Sequence, residues 1–184
     1  STSTTRGPTG IRTDLPMRIL VINCQSKKGP GKKGLLSNMI SSTKATIVIG
    51  TESWLHSDIN SSEVFPENFR SYCKDRPEGF HGGGVFALVS DQYSSCEPEE
   101  LKADNNFELV WAKIKVKGAS GLYVGAFYKP PFLTEQNYLD QLHQYLPRIP
   151  RGAHVWLGGD FNLADIDWEN ECPIPQTMPN ANSY

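Results

Sequence analysis

Residues 154–162 read HVWLGGDFN, an apolar run that ends in two glycines, an aspartate and, two residues later, an asparagine. A short apolar run bounded by turn residues is typical of a buried β-strand. The glycines allow a tight turn and a close approach of a ligand to the backbone. This stretch therefore predicts a strand that presents Asp160 and Asn162 to a functional site.

Three further short apolar runs lead directly into a polar residue that can bind a phosphate or a metal. They are Met17–Ile22 before Asn23, Ala45–Gly50 before Thr51 and Glu52, and Leu122–Phe127 before Tyr128. Ligands of α/β proteins bind at the carboxyl ends of strands, so we expect these polar ends to converge. Turns are polar in most proteins, so the hypothesis rests on all four ends together. Two carboxylates and two amides suit a hard cation such as Mg²⁺ beside a phosphate ester.

The composition is that of a globular protein with one domain. The chain has 184 residues, of which 38% are hydrophobic and 21% charged, and this is enough for a single core. No apolar stretch approaches the length needed to cross a membrane. The four cysteines form no CxxC pair and no zinc spacing, so we expect free thiols in a reducing, intracellular compartment. The chain does not begin with Met, and we expect it to be part of a longer protein.

Charge is distributed unevenly, although the net charge is only −2. Residues 1–34 contain seven basic residues against one acidic residue, and residues 160–184 contain five acidic residues and no Lys or Arg. A basic loop facing an acidic metal pocket fits a polyanionic substrate that is cut with the help of a cation. Solvated termini would give the same pattern. The lysines expected to contact a nucleic acid backbone are Lys27, Lys28, Lys32 and Lys33.

Other motifs point to further chemistries only weakly. Residues 29–33, GPGKK, follow a predicted strand as a P-loop does, but the Walker pattern is absent. His81 precedes three glycines, as in an oxyanion-hole loop, yet no nucleophile motif accompanies it. Aromatic residues surround Lys129 in the sequence. They either stack on exposed bases, with Lys129 contacting the nucleic acid, or cover the sheet.

The periodicity predicts one α/β domain over residues 17–170. Residues 1–16 are polar and contain two prolines, which predicts a flexible lead-in, and residues 171–184 are expected to form an irregular tail. Strands mixed with helices, including one hairpin, indicate a mixed sheet packed on a second sheet with helices outside. The predicted strands are Arg18–Asn23, Thr46–Gly50, Phe69–Cys73, Val85–Ser90, Leu109–Val116, Leu122–Tyr128 and Val155–Gly159, and the helices are Leu35–Ser42 and Asn137–Leu146.

Five short motifs follow one another along the chain. They are Asn23, Thr51–Leu55 (TESWL), Asp75-Arg76 with Gly82–Val85 (GGGV), Tyr128–Pro131 (YKPP) and Gly159–Asn162 (GDFN). This ordered set resembles the endonuclease/exonuclease/phosphatase superfamily, and most of all the endonuclease domains of non-LTR retrotransposons. The resemblance implies a DNase I-like sandwich of two mixed β-sheets flanked by helices. It also implies a Mg²⁺-dependent endonuclease that cuts DNA in the nucleus, with Mn²⁺ as a substitute.

The resemblance assigns a role to each residue of the predicted site. Glu52 is implied as the principal Mg²⁺ ligand, with Asn23 beside it. Tyr128 is implied to contact the scissile phosphate, and Asp160 to orient or deprotonate the attacking water. Asn162 is implied to hold a non-bridging oxygen of the phosphate. These roles agree with what phosphodiester hydrolysis requires, namely an in-line water, a cation and donors aimed at the transition state.

The sequence departs from the family pattern at its end. The family's domain finishes with a Ser-Asp-His element, which does not occur before Tyr184. We therefore expect a C-terminally truncated sandwich of weak or no activity by itself, completed by a C-terminal segment or a reverse transcriptase domain of the parent protein. Two alternatives stay open. One is a non-catalytic remnant that binds nucleic acid or a protein, and the other is a phosphomonoesterase of the same superfamily.

Overall fold

The computed structural model describes residues 16–24, 32–53, 64–74, 83–103, 107–131, 135–163, 166–167, 169–170 and 172–173. Within these ranges short strands alternate with two longer helices and two single turns of 3₁₀ helix at Glu99–Leu101 and Leu146–Arg148. In chain order the elements are β1 (Ile19–Asn23), α1 (Lys32–Thr43), β2 (Ile47–Thr51), β3 (Phe69–Lys74), β4 (Val85–Ser90), β5 (Ser95–Cys96), β6 (Leu109–Ile114), β7 (Leu122–Tyr128), α2 (Glu135–Tyr145), β8 (His154–Asp160), β9 (Ile166–Asp167) and β10 (Cys172–Pro173).

Eight of the strands form two four-stranded sheets. The first has the order β1-β2-β4-β3 and the second β5-β6-β7-β8. Both sheets are mixed, because β1 runs parallel to β2 and β7 runs parallel to β8, while their other neighbours are antiparallel. The predicted hairpin of β6 and β7 is present. The predicted sandwich of two mixed sheets is therefore confirmed.

The core lies between the two sheets, and each helix covers an outer face. Alternate residues of β2, β4, β6 and β7 point into the space between the sheets, among them Ile49, Ala87 and Val124. On the outside of the first sheet, Leu36 and Ile40 of α1 pack in a cluster with strand residues. On the outside of the second, Tyr138 and Leu142 of α2 pack in the same way. Strands β2 and β7 are thus buried on both faces, which explains their continuous apolar sequences.

The two parallel strand pairs lie at one edge of the sandwich, where the sheets approach closely. Asn23 lies opposite Thr51 in the register of β1 and β2, and Tyr128 lies opposite Asp160 in that of β7 and β8. A Cβ atom on Gly158 would come within 3.0 Å of a methyl carbon of Ile49. This glycine therefore allows β8 to pack against the first sheet, and the carboxyl ends of all four strands meet.

The structure differs from the sequence prediction mainly in its smallest elements. Most predicted strand ends are within two residues of the observed ones, and α1 begins at Lys32 rather than Leu35. The two-residue strands β5, β9 and β10 were not predicted, because backbone pairing of this length leaves no periodic pattern. Strands β9 and β10 pair antiparallel across the predicted domain end at residue 170. Residues 1–15 of the lead-in and 174–184 of the tail lie outside the described residues.

Side-chain contacts hold the turn between β9 and β10. The side-chain amide of Asn170 donates a 2.7 Å hydrogen bond to Asp167 Oδ2, and the backbone of Asn170 donates to Oδ1 at 3.1 Å. These bonds favour the charged carboxylate and so lower the pKa of Asp167. None of the described helices is both long and apolar enough to span a membrane.

Candidate active site

One side-chain amide links the two carboxylates of the predicted site. Asn23 Nδ2 donates a hydrogen bond of 3.3 Å to Glu52 Oε1 and another of 3.1 Å to Asp160 Oδ2. Asn23 and Glu52 follow neighbouring strands of the first sheet, and Asp160 ends a strand of the second. The structure therefore brings these three residues together, as the strand ends predicted.

The backbone at Glu52 takes an uncommon conformation. Its φ is 52°, in the left-handed region that non-glycine residues seldom adopt. The strand pairing continues up to this point, because the backbone N–H of Cys24 donates to the carbonyl of Thr51 at 2.9 Å. Such conformations occur at functional sites when the surrounding structure fixes them. The turn at Glu52 directs its carboxylate toward Asn23.

Gly159 sets the position of Asp160. Its φ is 142°, and a Cβ atom placed there would lie 1.8 Å from the carbonyl oxygen of Phe127. Only a residue without a side chain fits, so β8 can come this close to β7 at its end. The glycine of the GDFN motif therefore has a steric reason in this fold.

Asn162 and Lys129 are bound to each other and to the Asp160 turn. The Asn162 backbone N–H donates to Asp160 Oδ1 at 3.2 Å, and the Asn162 side-chain amide donates to the Lys129 carbonyl at 2.8 Å. Lys129 Nζ in turn donates to the Asn162 carbonyl at 3.3 Å. Asn162 also has a positive φ, 43°. One N–H of its amide thus holds the turn.

Lys129 is only 1% exposed. The sequence predicted it as a contact to nucleic acid. Its ammonium donates a hydrogen bond to the carbonyl of Asn162, next to the Asp160–Asn162 turn. Its predicted contact to nucleic acid stays a prediction. The neighbouring aromatic residues Phe127, Tyr128 and Tyr138 are buried, so they pack against the sheets rather than stand exposed for stacking on bases.

Tyr128 ends β7 beside the site and is 7% exposed. Its backbone N–H donates to the carbonyl of Glu108 at 3.0 Å. Glu108 is also buried, and its carboxylate accepts a hydrogen bond from the backbone N–H of Gly84. Sequence reasoning missed Glu108, because a glutamate directly before a strand looks like an ordinary polar turn residue.

The basic residues predicted near the N-terminus fall at the start of α1 and before it. Lys27 and Lys28 lie outside the described residues. Lys32 and Lys33 begin α1, which is the next described element after β1. The predicted contact of all four lysines with a nucleic acid backbone stays a prediction.

The site's donors suit a small divalent cation. Mg²⁺ in proteins commonly uses one or two carboxylates and keeps several waters, and Glu52 with Asp160 provides two carboxylates on either side of one amide. The two neighbouring carboxylates are contacted by neutral donors, and a cation beside them would compensate their charges better. Among the described residues no group of three or more His, Cys, Asp or Glu side chains is placed to hold a metal. Glu52 would be the main ligand of Mg²⁺ or Mn²⁺, with Asn23 and Asp160 beside it.

No model of a known protein family matches the sequence, and no curated protein matches it either. Solved structures do match the fold. The endonuclease domain of TRAS1, a telomere-specific non-LTR retrotransposon, is 21% identical with a TM-score of 0.61, over 80% of this chain and 61% of that one. D. rerio TDP2 complexed with a single strand DNA product is 15% identical with a TM-score of 0.54, over 86% of this chain and 65% of that one.

A third match carries the superfamily name. The endonuclease/exonuclease/phosphatase family protein from Leptotrichia buccalis is 14% identical with a TM-score of 0.54, over 85% of this chain and 72% of that one. The chain spans less than two thirds of the length of the first of these structures, the TRAS1 domain. These likenesses show that the chain shares the fold of these proteins, a DNase I-like sandwich of two mixed sheets.

Proposed function

We propose that this chain carries a Mg²⁺-dependent phosphodiesterase site and acts on DNA as an endonuclease of the non-LTR retrotransposon type. The observation that carries the proposal is the hydrogen-bonded group of Glu52, Asn23 and Asp160, which joins the two sheets at the carboxyl ends of their parallel strands. The proteins that share the fold support the proposal, since they include a retrotransposon endonuclease domain and a protein complexed with DNA.

The residues of the site can perform the steps of phosphodiester hydrolysis. Asp160 is a carboxylate held by Asn23 on one oxygen and by the Asn162 backbone on the other, an arrangement that suits orientation of a water and acceptance of its proton. The second amide N–H of Asn162 is a donor for a phosphoryl oxygen. A bound Mg²⁺ supplies neutralisation of the charge that builds on the phosphate. Tyr128 lies opposite Asp160 and lines the same end of the sandwich.

A plasmid nicking assay tests the proposal with variants of the two carboxylates. Glu52→Gln and Asp160→Asn keep the shape of the side chain and remove its charge. Each is expected to lower the rate of nicking in Mg²⁺ by about 10²–10³, the usual cost of one preorganised group at a reacting centre. Mn²⁺ should support the reaction in the wild type, and a chelator should abolish it.

Matched controls use the same substitutions at the opposite end of the first sheet. Glu67 and Asp91 are exposed there, next to Phe69 and Ser90, which pair with each other far from the strand ends that form the site. Glu67→Gln and Asp91→Asn should therefore nick at the wild-type rate. Equal loss in the control variants would contradict the assignment of Glu52 and Asp160.

Two further measurements separate the alternatives, a non-catalytic remnant and a phosphomonoesterase. DNA binding without nicking at any Mg²⁺ or Mn²⁺ concentration, by the chain extended through its native C-terminal segment, would favour a non-catalytic remnant. Faster hydrolysis of p-nitrophenyl phosphate than of bis(p-nitrophenyl) phosphate would favour a phosphomonoesterase. The proposed endonuclease should prefer the diester and should require both Glu52 and Asp160 for it.

A further inference from the structure

The glycine turn before β4 is held by a buried carboxylate from the other sheet. Gly83 and Gly84 are buried and have φ values of 87° and 84°. The backbone N–H of Gly84 donates a hydrogen bond of 2.8 Å to Glu108 Oε2. Gly84 belongs to the first sheet, whereas Glu108 directly precedes β6 of the second. The Glu108 side chain therefore fixes the distance between the two sheets near the site.

The same glycine turn also holds Ser53, the residue that follows Glu52. The backbone N–H of Ser53 donates to the carbonyl of Gly84 at 3.3 Å. Glu52 is the residue whose φ of 52° lies in the left-handed region. A residue in that region keeps its conformation only when the backbone on both sides is fixed. Cys24 N–H fixes the Thr51 side through the Thr51 carbonyl, and Gly84 fixes the Ser53 side.

The backbone of Glu108 contributes to the other half of the site. Its carbonyl accepts a hydrogen bond from the backbone N–H of Tyr128 at 3.0 Å, and its own N–H donates to the Tyr138 hydroxyl of α2 at 3.1 Å. Glu108 thus contacts the turn that supports Glu52 and the end of the strand that carries Tyr128.

We infer that Glu108 is a positioning residue, which sets the Glu52 carboxylate through the Gly84–Ser53 backbone bond; this rests on the function proposed above. The same contact gives Gly83 and Gly84 a structural role. Their turn lets the Gly84 N–H meet the Glu108 carboxylate. Glu108 itself neither binds the metal nor touches the substrate.

Two substitutions separate the hydrogen bond from the charge. Glu108→Leu removes the acceptor and leaves Gly84 N–H buried without its partner, whereas Glu108→Gln retains a carbonyl oxygen at the same place. In Glu108→Leu the kcat for nicking should fall about 10- to 100-fold with little change in KM, because a small misplacement of a reacting group has costs of this size. Glu108→Gln should restore most of the wild-type kcat.

A second readout does not depend on activity. Hydrogen exchange at the Ser53 and Gly84 amides should become at least about tenfold faster in Glu108→Leu, while exchange in β2 and β7 stays slow. Mn²⁺ affinity, measured by calorimetry on the whole chain, should weaken in the same variant and recover in Glu108→Gln. Unchanged exchange at Ser53 in Glu108→Leu would overturn the inference, whatever the nicking rate.

The matched control breaks another buried bond between the sheets, away from the site. The Tyr72 hydroxyl donates to Ser95 Oγ at 2.8 Å on the β3 side of the sandwich. Tyr72→Phe should lower stability as Glu108→Leu does but leave kcat unchanged when both are assayed equally far below their melting temperatures. An equal loss of kcat in Tyr72→Phe would show that Glu108 acts only through stability. If the chain does not nick DNA even when extended through its native C-terminal segment, the proposed function fails, and the exchange experiment alone decides the role of Glu108.

Discussion

Lys129 and Asn162 each donate a side-chain hydrogen bond to the backbone carbonyl of the other. The Asn162 amide donates to the Lys129 carbonyl at 2.8 Å, and Lys129 Nζ donates to the Asn162 carbonyl at 3.3 Å. The Lys129 backbone N–H also donates to the carbonyl of Asp160 at 2.9 Å. The exit of β7 is thus tied to the turn after β8, and a buried ammonium lies directly behind the residues proposed to act on the phosphate.

Replacing Lys129 should increase the stability of the fold and decrease the rate of DNA nicking. A lysine that is 1% exposed, with no ion pair to any described residue, costs free energy to bury. Lys129→Met should therefore raise the free energy of unfolding in urea by about 1 kcal/mol, yet slow DNA nicking. Lys115→Met, on an exposed residue, should change neither quantity. A less stable Lys129→Met variant of normal activity would assign Lys129 a structural role only.

Adding a third carboxylate at Asn23 should make folding depend on Mg²⁺. Asn23→Asp would place a negative charge where the amide now donates to Glu52 and Asp160. Without metal, repulsion of about 1 kcal/mol should lower the melting temperature by about 2–4 °C for a domain of this size. Mg²⁺ should then raise it more than it does in the wild type. Differential scanning calorimetry with and without a chelator measures both effects.

The exposed Asn38 of α1 gives the control for that experiment. Asn38→Asp makes the same change in net charge on the surface. Its melting temperature should be insensitive to Mg²⁺. If Asn23→Asp responds to Mg²⁺ no more than Asn38→Asp does, then the cation does not bind among these residues.

Gly159→Ala should be among the most destabilising single-methyl changes in the chain. The added Cβ would lie 1.8 Å from the Phe127 carbonyl, so β8 must shift as well as adopt a strained φ of 142°. We expect the free energy of unfolding in urea to fall by about 3 kcal/mol or more, which is a larger loss than the strained backbone alone would cause. Gly118→Ala is the matched variant, since its φ is 76° but nothing lies within 4 Å of the new Cβ. Similar losses in the two variants would mean that the steric contact at Gly159 is unimportant.

Neutralising Lys27, Lys28, Lys32 and Lys33 together should weaken binding to DNA of any base sequence. The dependence of log K on log salt should flatten by about 0.9 for each phosphate of duplex DNA that the variant no longer neutralises. Fluorescence anisotropy with a duplex at several salt concentrations measures the slope. The same number of changes at Lys44, Lys102, Lys115 and Lys117 keeps the net charge equal. An identical slope in both fourfold variants would show that only net charge matters.

Much of the sandwich could be predicted from the sequence because its strands appear as short apolar runs. The strands β2 and β7 are buried on both faces, whereas β1 and β8 are partly exposed yet also apolar in sequence. The strand ends, Asn23, Glu52, Tyr128 and Asp160, could be located directly from these runs. The convergence of these ends followed from the rule that ligands bind at strand carboxyl ends, and the Asn23 bonds confirm that three of the four residues meet.

The remaining features depend on contacts that no local pattern encodes. The burial of Lys129 was not predicted, because it depends on the covered surroundings at the end of β7 rather than on the neighbouring sequence. The support of Glu52 by Gly84 and Glu108 joins segments that are 24 or more residues apart in sequence. The left-handed backbone at Glu52 likewise arises from its neighbours in space, since glutamate has no preference for it.

The bond between Asn23 and Asp160 has a consequence for the order of folding. The two residues are 137 positions apart, so a large loop must close before they meet, and the contact forms only after each sheet has assembled and the two have docked. A newly collapsed chain could thus have most of its native secondary structure and still lack the site. Stopped-flow Mn²⁺ binding during refolding should lag behind the recovery of circular dichroism, which would make metal uptake a reporter of sheet docking rather than of strand formation.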